Sequence, residues 1–344
     1  MAGTDRRPIL RRWWAAILLA VAVLGAVGVL LASAGDAEDA LVVYNGRSHY
    51  GGEEAFERFT DQTGIEVELF GGAATELYER LRNEGSQTPA DVLVTVDGAN
   101  LAQAKEAGLL QPLPAPQTSV PAALRDPDNQ WVAVSTRVRT LMRSTERVAE
   151  EDLATYEDLG DPRWKGRVCL RTSNNVYNQS FVAAMLDERG AAETERLLRS
   201  WMANEPQILG SDVDVLKAIA AGKCDVGLTN HYYLARELKA DPNFPVAPVW
   251  ADQDGDGVHA NISGAAVVKG TDKPVEAARL VAFLTTEAAQ RDIAANGEFP
   301  ANESVPPAEH ISTWTGFTAD PIDVEAAGEK QPDAVALMSE VGWE

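Results

Sequence analysis

The sequence predicts an α/β fold of two lobes joined by crossing strands, a clamshell with a cleft between its halves. Three observations carry that expectation. Short apolar runs rich in valine and leucine alternate with helix-period segments; the alternation occurs twice, on either side of a Pro-rich stretch at 112–127; and a late apolar run, Ala260 to Val268, returns the chain to its first half.

The elements follow in order. Ala40 to Tyr44 reads as a buried strand and Gly52 to Thr63 as a helix with Ala55, Phe56 and Phe59 on one face. Gly64 to Leu69 alternates as a strand, Thr75 to Glu84 is a helix, and Asp91 to Thr95 is a strand. Such an order indicates a parallel sheet with crossover helices. After the Pro-rich stretch comes a strand from Trp131 to Arg143. A second αβ segment runs through a strand at Trp164 to Leu170, helices at Asn178 to Arg189, Ala191 to Asn204 and Val213 to Ala221, a strand at Asp225 to Leu228 and a helix at Tyr233 to Lys239. Ala260 to Val268 is the returning strand, the helix Pro274 to Thr285 follows it, and the tail beyond Pro306 reads as one or two short helices. The expected lobes are 41–136 with 264–304, and 137–263 with 305–344. Length and composition allow this: 344 residues, 45% hydrophobic and 24% charged, suffice for two cores.

Residues 1–34 read as an export segment. Arg6, Arg7, Arg11 and Arg12 precede the apolar run Trp13 to Ala34, and Ala32-Ser33-Ala34 has the small-x-small form of a cleavage site. The run is long enough that an uncleaved N-terminal membrane anchor is the alternative to a signal peptide. Either places the remainder outside the cytoplasm, in the periplasm or at the outer face of the cell membrane. Without residues 1–34 the chain keeps 26 basic residues against 51 acidic. That charge argues against nucleic acid or anionic lipid as a partner and is compatible with a cation.

Cys169 and Cys224 are the only cysteines. In an oxidising compartment they are a candidate disulfide between two strands; the alternative is two buried small side chains.

Three short loops concentrate the polar aromatic residues. The first, Tyr44 to Tyr50, follows the first strand and carries His49 and Tyr50; the second, Asn174 to Ser180, carries Tyr177; the third, Thr229 to Tyr233, carries Tyr232 and Tyr233. Each lies past the carboxyl end of a strand, where open αβ sheets bind ligands. Adjacent tyrosines at such an end point in different directions, so at least one hydroxyl needs a polar partner. Of seven tyrosines and four histidines in the chain, these loops hold a disproportionate share. Phenolate is an anionic oxygen donor, suited to a hard, highly charged cation.

These segments resemble bacterial ferric-ion-binding proteins, the solute-binding components of iron(III) ABC transporters. The resemblance runs from about Leu41 to the end. Its carriers include Asp61-Gln62-Thr63-Gly64-Ile65, Thr88-Pro89-Ala90-Asp91-Val92, Trp164-Lys165-Gly166-Arg167, Val176-Tyr177-Asn178-Gln179-Ser180, Asn230 to Tyr233, and His259-Ala260-Asn261-Ile262-Ser263-Gly264. The resemblance implies a type II periplasmic-binding-protein-like fold. It implies capture of Fe(III) in the interlobe cleft, delivery to an ABC permease, and a monomer with no catalysed reaction. By motif, the implied metal ligands are His49, Tyr50, Tyr177, Tyr232 and Tyr233. A glutamate used by another branch of the family has no counterpart, because Val96 and Asp97 follow Thr95. Arg47, Arg137 and Arg139 are candidates to balance phenolate charge or to hold a carbonate-like anion, with a structural ion pair as the alternative for the last two. His231 and His259 are expected outside the ligand set, His259 as a hydrogen-bonding residue near the hinge.

A different solute on the same fold, such as a polyamine, thiamine or an oxyanion, is the competing function. Gly-x-Ser-x-Gly, His-Glu-x-x-His and Cys-x-x-Cys patterns are missing from the sequence, which leaves a hydrolase without its usual machinery. Asp252-Gln253-Asp254-Gly255-Asp256-Gly257 opens like a calcium loop, but Ser263 occupies the twelfth position, where a bidentate acid is needed, so an acidic turn is expected.

Overall fold

The computed structural model of the chain describes residues 40–47, 53–114 and 119–344. The export segment, His49 and Tyr50 lie outside these residues.

The first half contains β1 (Leu41–Asn45), α1 (Glu54–Thr63), β2 (Val67–Gly71), α2 (Ala74–Glu84), β3 (Val92–Thr95), α3 (Gly98–Glu106) and β4 (Leu110–Gln111). β1 lies between β2 and β3 and is parallel to both, the arrangement that crossover helices impose. The chain then enters β5 (Val132–Ser144), 13 residues long. Beyond it come β6 (Val168–Arg171), α4 (Val176–Arg189), α5 (Ala191–Ala203), β7 (Gln207–Leu209), α6 (Asp212–Ala220), β8 (Val226–Asn230), α7 (His231–Ala240) and β9 (Val246–Val249). β6 pairs in parallel with β7 and β8. β10 (Ala260–Val268) returns the chain, followed by α8 (Pro274–Leu284), α9 (Glu287–Ala294), β11 (Phe299–Pro300) and α10 (Val324–Glu340).

Two strands join the halves. β5 pairs antiparallel with β10 and β11 along its first part, and with β8 and β9 from Arg139 to Ser144. β10 pairs with β5 from Ala260 to Ala265 and with β3 from Gly264 to Val267. The strand order β2-β1-β3-β10-β5-β8-β6-β7 is therefore continuous through the crossing. The β5 to β10 register slips between Ser263 and Gly264. A Cβ on Gly264 would stand 2.5 Å from Leu101 Cδ1 and 3.0 Å from the Val132 carbonyl oxygen, so the bulge requires glycine.

Each half has its own apolar cluster. One gathers β1, β3, α1 and α8 around Leu41, Phe59, Leu93 and Leu280; the other gathers Tyr156, Phe181, Trp201 and Trp343. α10 contributes Val324 to the first and Ala334 and Met338 to the second, so the tail spans both.

Besides α9 and the short strands β4, β7, β9 and β11, which the sequence reading did not include, three elements differ from it. α3 is an additional helix; its small residues Gly98, Ala99, Ala102 and Ala104 are buried nearly all round, leaving no apolar stripe to read. The strand expected from Trp164 begins only at Val168, because Pro162–Trp164 forms a 3-10 turn and Gly166 has a positive φ. The tail folds as one 17-residue helix although Pro332 lies inside it. Pro332 removes a backbone donor, and the residue one turn earlier is Gly328, whose missing side chain lets α10 approach Ala102 of α3. Packing on α3 and α4 sustains the helix through the proline.

The sulfurs of Cys169 and Cys224 are bonded, with their Cα atoms 5.9 Å apart and a sequence separation of 55. Closing a loop of that length removes about 4 kcal/mol of unfolded-state entropy. Urea unfolding of the reduced protein should show a stability loss of roughly 2–4 kcal/mol; coincident curves would contradict a stabilising cross-link.

Candidate functional site at the seam of the two halves

Tyr232 and Tyr233 occupy the first turn of α7, directly after the last residue of β8, and Tyr177 occupies the first turn of α4. A side-chain cap starts the first of these segments to be reached in sequence, α4, but not α7. Asn175 caps α4 by accepting the Tyr177 N–H at 3.1 Å, and Asn230 stands at the cap position of α7 while its side-chain amide donates to the Tyr232 hydroxyl at 3.3 Å.

Tyr177 and the adjacent pair Tyr232 and Tyr233, well separated in sequence, lie in one buried cluster that also takes Ala74 and Val96 from the first half. They are 3%, 1% and 9% exposed, in the order Tyr177, Tyr232, Tyr233. The rings of Tyr232 and Tyr233 are 4.4 Å apart, and the Arg236 guanidinium lies over both, at 5.0 and 5.8 Å. The cluster thus sits at the seam, the position expected of a cleft.

The charges around it are set by the crossing strands. Arg137 of β5 is buried, donates to the Ser263 hydroxyl and the Ile262 carbonyl, and stands 5.1 Å from the Tyr177 ring centroid. Burial alone would lower its pKa, but the nearby Tyr177, Tyr232, Glu298 and Asp97 outweigh burial and hold it above the ordinary value. Arg47 reaches Ser135, Ser263 and Glu298 at 3.1, 2.7 and 2.8 Å. Burial would raise the Glu298 pKa, yet the attraction and hydrogen bond of Arg47, with Arg137 and Ser135 behind them, pull it down to about 2. Arg139 is paired with buried Asp212 at 2.8 Å, and Asp212 also holds Arg171 and the Asn230 N–H. That ion pair secures the strand end from which Tyr232 departs.

Asp97 links the halves directly. It caps α3 through the Ala99 N–H at 2.9 Å, accepts from the Ser180 hydroxyl of α4 at 2.7 Å, and accepts from the Asn261 amide of β10 at 3.0 Å. Burial raises its pKa against the pull of Arg137, Ser180 and Ala99. Sequence reasoning passed over Asp97, Asp212 and Glu298 as site-supporting residues. No local signal in the sequence singles out any of the three.

His231 lies in the hinge. Its Nδ1 accepts the Val138 N–H at 3.2 Å and its ring stacks on Phe299 at 4.2 Å. His259 Nδ1 is 3.2 Å from Asp320, also near the crossing. Asp252 of the calcium-like turn is committed to Arg189 and to the Tyr156 N–H. Among the described residues no group of three or more His, Cys, Asp or Glu is placed to hold a metal.

Residues 87–316 match the family of bacterial extracellular solute-binding proteins. Iron uptake protein A1 of Synechocystis is 36% identical over 337 residues, spanning 91% of this chain and 93% of that one. The chain belongs to the bacterial extracellular solute-binding protein family. The fold agrees: a Trichodesmium structure in complex with iron and citrate superposes on this solute-binding protein with a TM-score of 0.82 at 36% identity, covering 89% of this chain and 100% of that one. The ferric binding protein from Campylobacter jejuni gives 0.82 at 29% identity over 88% and 100%. The solute-binding protein is thus a two-lobed, type II periplasmic-binding-protein-like α/β structure. Among its described residues no helix is long and apolar enough to cross a membrane.

The hinge of this protein carries a pH dependence. Burial, the largest cause, lowers the His231 pKa from 6.5 to about 3, so the folded state keeps it neutral. The unfolded chain therefore binds the proton first, and stability present above pH 6.5 is lost as pH falls toward 3, by up to about 1.4 kcal/mol per pH unit. His231→Gln keeps an acceptor without titrating. Thermal melts between pH 6.5 and 4.5 should show a flatter stability profile for that variant, and equal slopes would contradict the assignment.

Proposed function

We propose that this protein captures ferric iron at the seam of its two halves and delivers it to the permease of an ABC importer, without making or breaking a bond in its cargo. The single observation that carries the reading is the convergence of Tyr177, Tyr232 and Tyr233, from two helix starts, in one buried cluster facing the other half. His49 and Tyr50 complete the proposed donor set; they follow Arg47, itself buried in the hinge network.

Three phenolates neutralise a trivalent ion, and each must lose a proton to bind it, so uptake releases protons and affinity weakens as pH falls. Ferrous iron, with less charge, binds such a site less tightly. Of the three candidate arginines, Arg47 and Arg139 each hold a carboxylate, whereas Arg137 faces Tyr177. Arg137 is therefore the proposed partner of any carbonate-like or carboxylate anion that shares the metal. The iron and citrate held by the Trichodesmium relative support an anion of that class. The proposed lobes are 41–136 with 264–304 and 137–263 with 305–344, and α10 bridges them. Residues 1–34 are proposed to export the chain, as a cleaved signal or a retained anchor.

Ferric titration of wild type, Tyr177→Phe and Tyr232→Phe tests the ligand set. The wild type should develop a visible phenolate-to-iron absorption band with proton release, and each variant should lose affinity on the order of 100-fold. Unchanged ferric affinity in both variants would overturn the assignment.

A further inference from the structure

A cavity of about 580 Å³ lies in the first half and shares no residue with the tyrosine cluster. One wall is a face of α8: Val275, Ala278, Arg279 and Ala282 recur at spacings of three and four, and the two alanines leave the space open. Trp131 and Val132 of β5 and Val267 of β10 add apolar wall, and Leu113 adds more. Val275 is 73% exposed, an unusual position for a large apolar side chain in a folded domain.

Beside the amides of Gln111 and Asn129, the cavity carries cationic and N–H donors that lack an acceptor among the described residues. Arg125 and Arg279 line it, and neither is in an ion pair among the described residues, although the chain has 52 acidic residues against 30 basic. Among the described residues, the Arg125 Nε and the Trp131 indole N–H are buried without a hydrogen-bond partner, and Trp131 is only 3% exposed. Each unmet buried donor costs about 1–3 kcal/mol, a cost that an incoming anionic oxygen would relieve. The volume falls in the range of small-molecule sites, which combine apolar walls with a few directed polar groups.

We propose that this cavity binds an amphiphilic monoanion, a carboxylate or sulfonate on an apolar body. The body packs on the Val275, Ala278 and Ala282 face of α8, and the head is held by Arg125, Arg279 and the Trp131 indole. This site is independent of the iron reading.

The test uses 8-anilinonaphthalene-1-sulfonate as fluorescent probe, with dodecanoate and dodecanol as competitors. Wild type should bind one probe per chain. Dodecanoate should displace it at concentrations where dodecanol does not. Arg279→Ala and Val275→Asp are changes at exposed positions and should melt as the wild type does. Each should weaken probe binding about 10-fold, the equivalent of one charge-assisted contact, while ferric titration is unaltered. Absence of stoichiometric probe binding, equal displacement by the alcohol, or wild-type affinity in both variants would overturn the proposal.

Discussion

The crossing of β5 and β10 is the constraint on which the molecule depends. One 13-residue strand is hydrogen-bonded into the first half along its beginning and into the second along its end. Its side chains are consequently shared. Ser135 binds Glu298 and Arg47 on the first side, Arg137 stands under the seam, and Arg139 is locked to Asp212 on the second. A change in the angle between the halves must pass through these residues, and also through α10, which packs on both halves, and through ties such as Asp97 to Ser180.

That arrangement explains how a buried cluster of tyrosines is tolerated. Phenol hydroxyls removed from water need polar partners, and the seam supplies Asn230 to Tyr232 and positive charge from Arg137 and Arg236. The same cations would be poor neighbours for a bare metal ion and good neighbours for phenolates. Under the proposed reading, these guanidiniums would stabilise the phenolates that form when cargo binds. Arg47 and Glu298 cancel one another nearby, and Arg137 stands 5.1 Å from the Tyr177 ring without an ion pair among the described residues.

Much of the fold was legible because β1, α1, α2 and β3 combine clear periodicity with ordinary lengths. α3 was not, since burial on all sides erases amphipathicity, and β7 and β9, three and four residues long, are below the length at which alternation is visible. α10 was obscured by Pro332, a residue type that ordinarily interrupts a helix and that tertiary packing overrides here. The tyrosine loops could be found because strand ends and helix starts mark themselves locally. Their supports could not: Asp97 meets Ser180 across 83 residues, Arg139 meets Asp212 across 73, and Arg47 meets Glu298 across 251. Contacts of such separation are products of topology and leave no trace in a window of sequence.

The central claim, that oxygen donors from separate chain segments meet on one metal at the seam, is tested most directly by anomalous diffraction at the iron absorption edge from crystals of the ferric-loaded protein. The account expects a single strong peak bounded by the Tyr177, Tyr232 and Tyr233 hydroxyls. No peak there, or a peak elsewhere on the molecule, would contradict it.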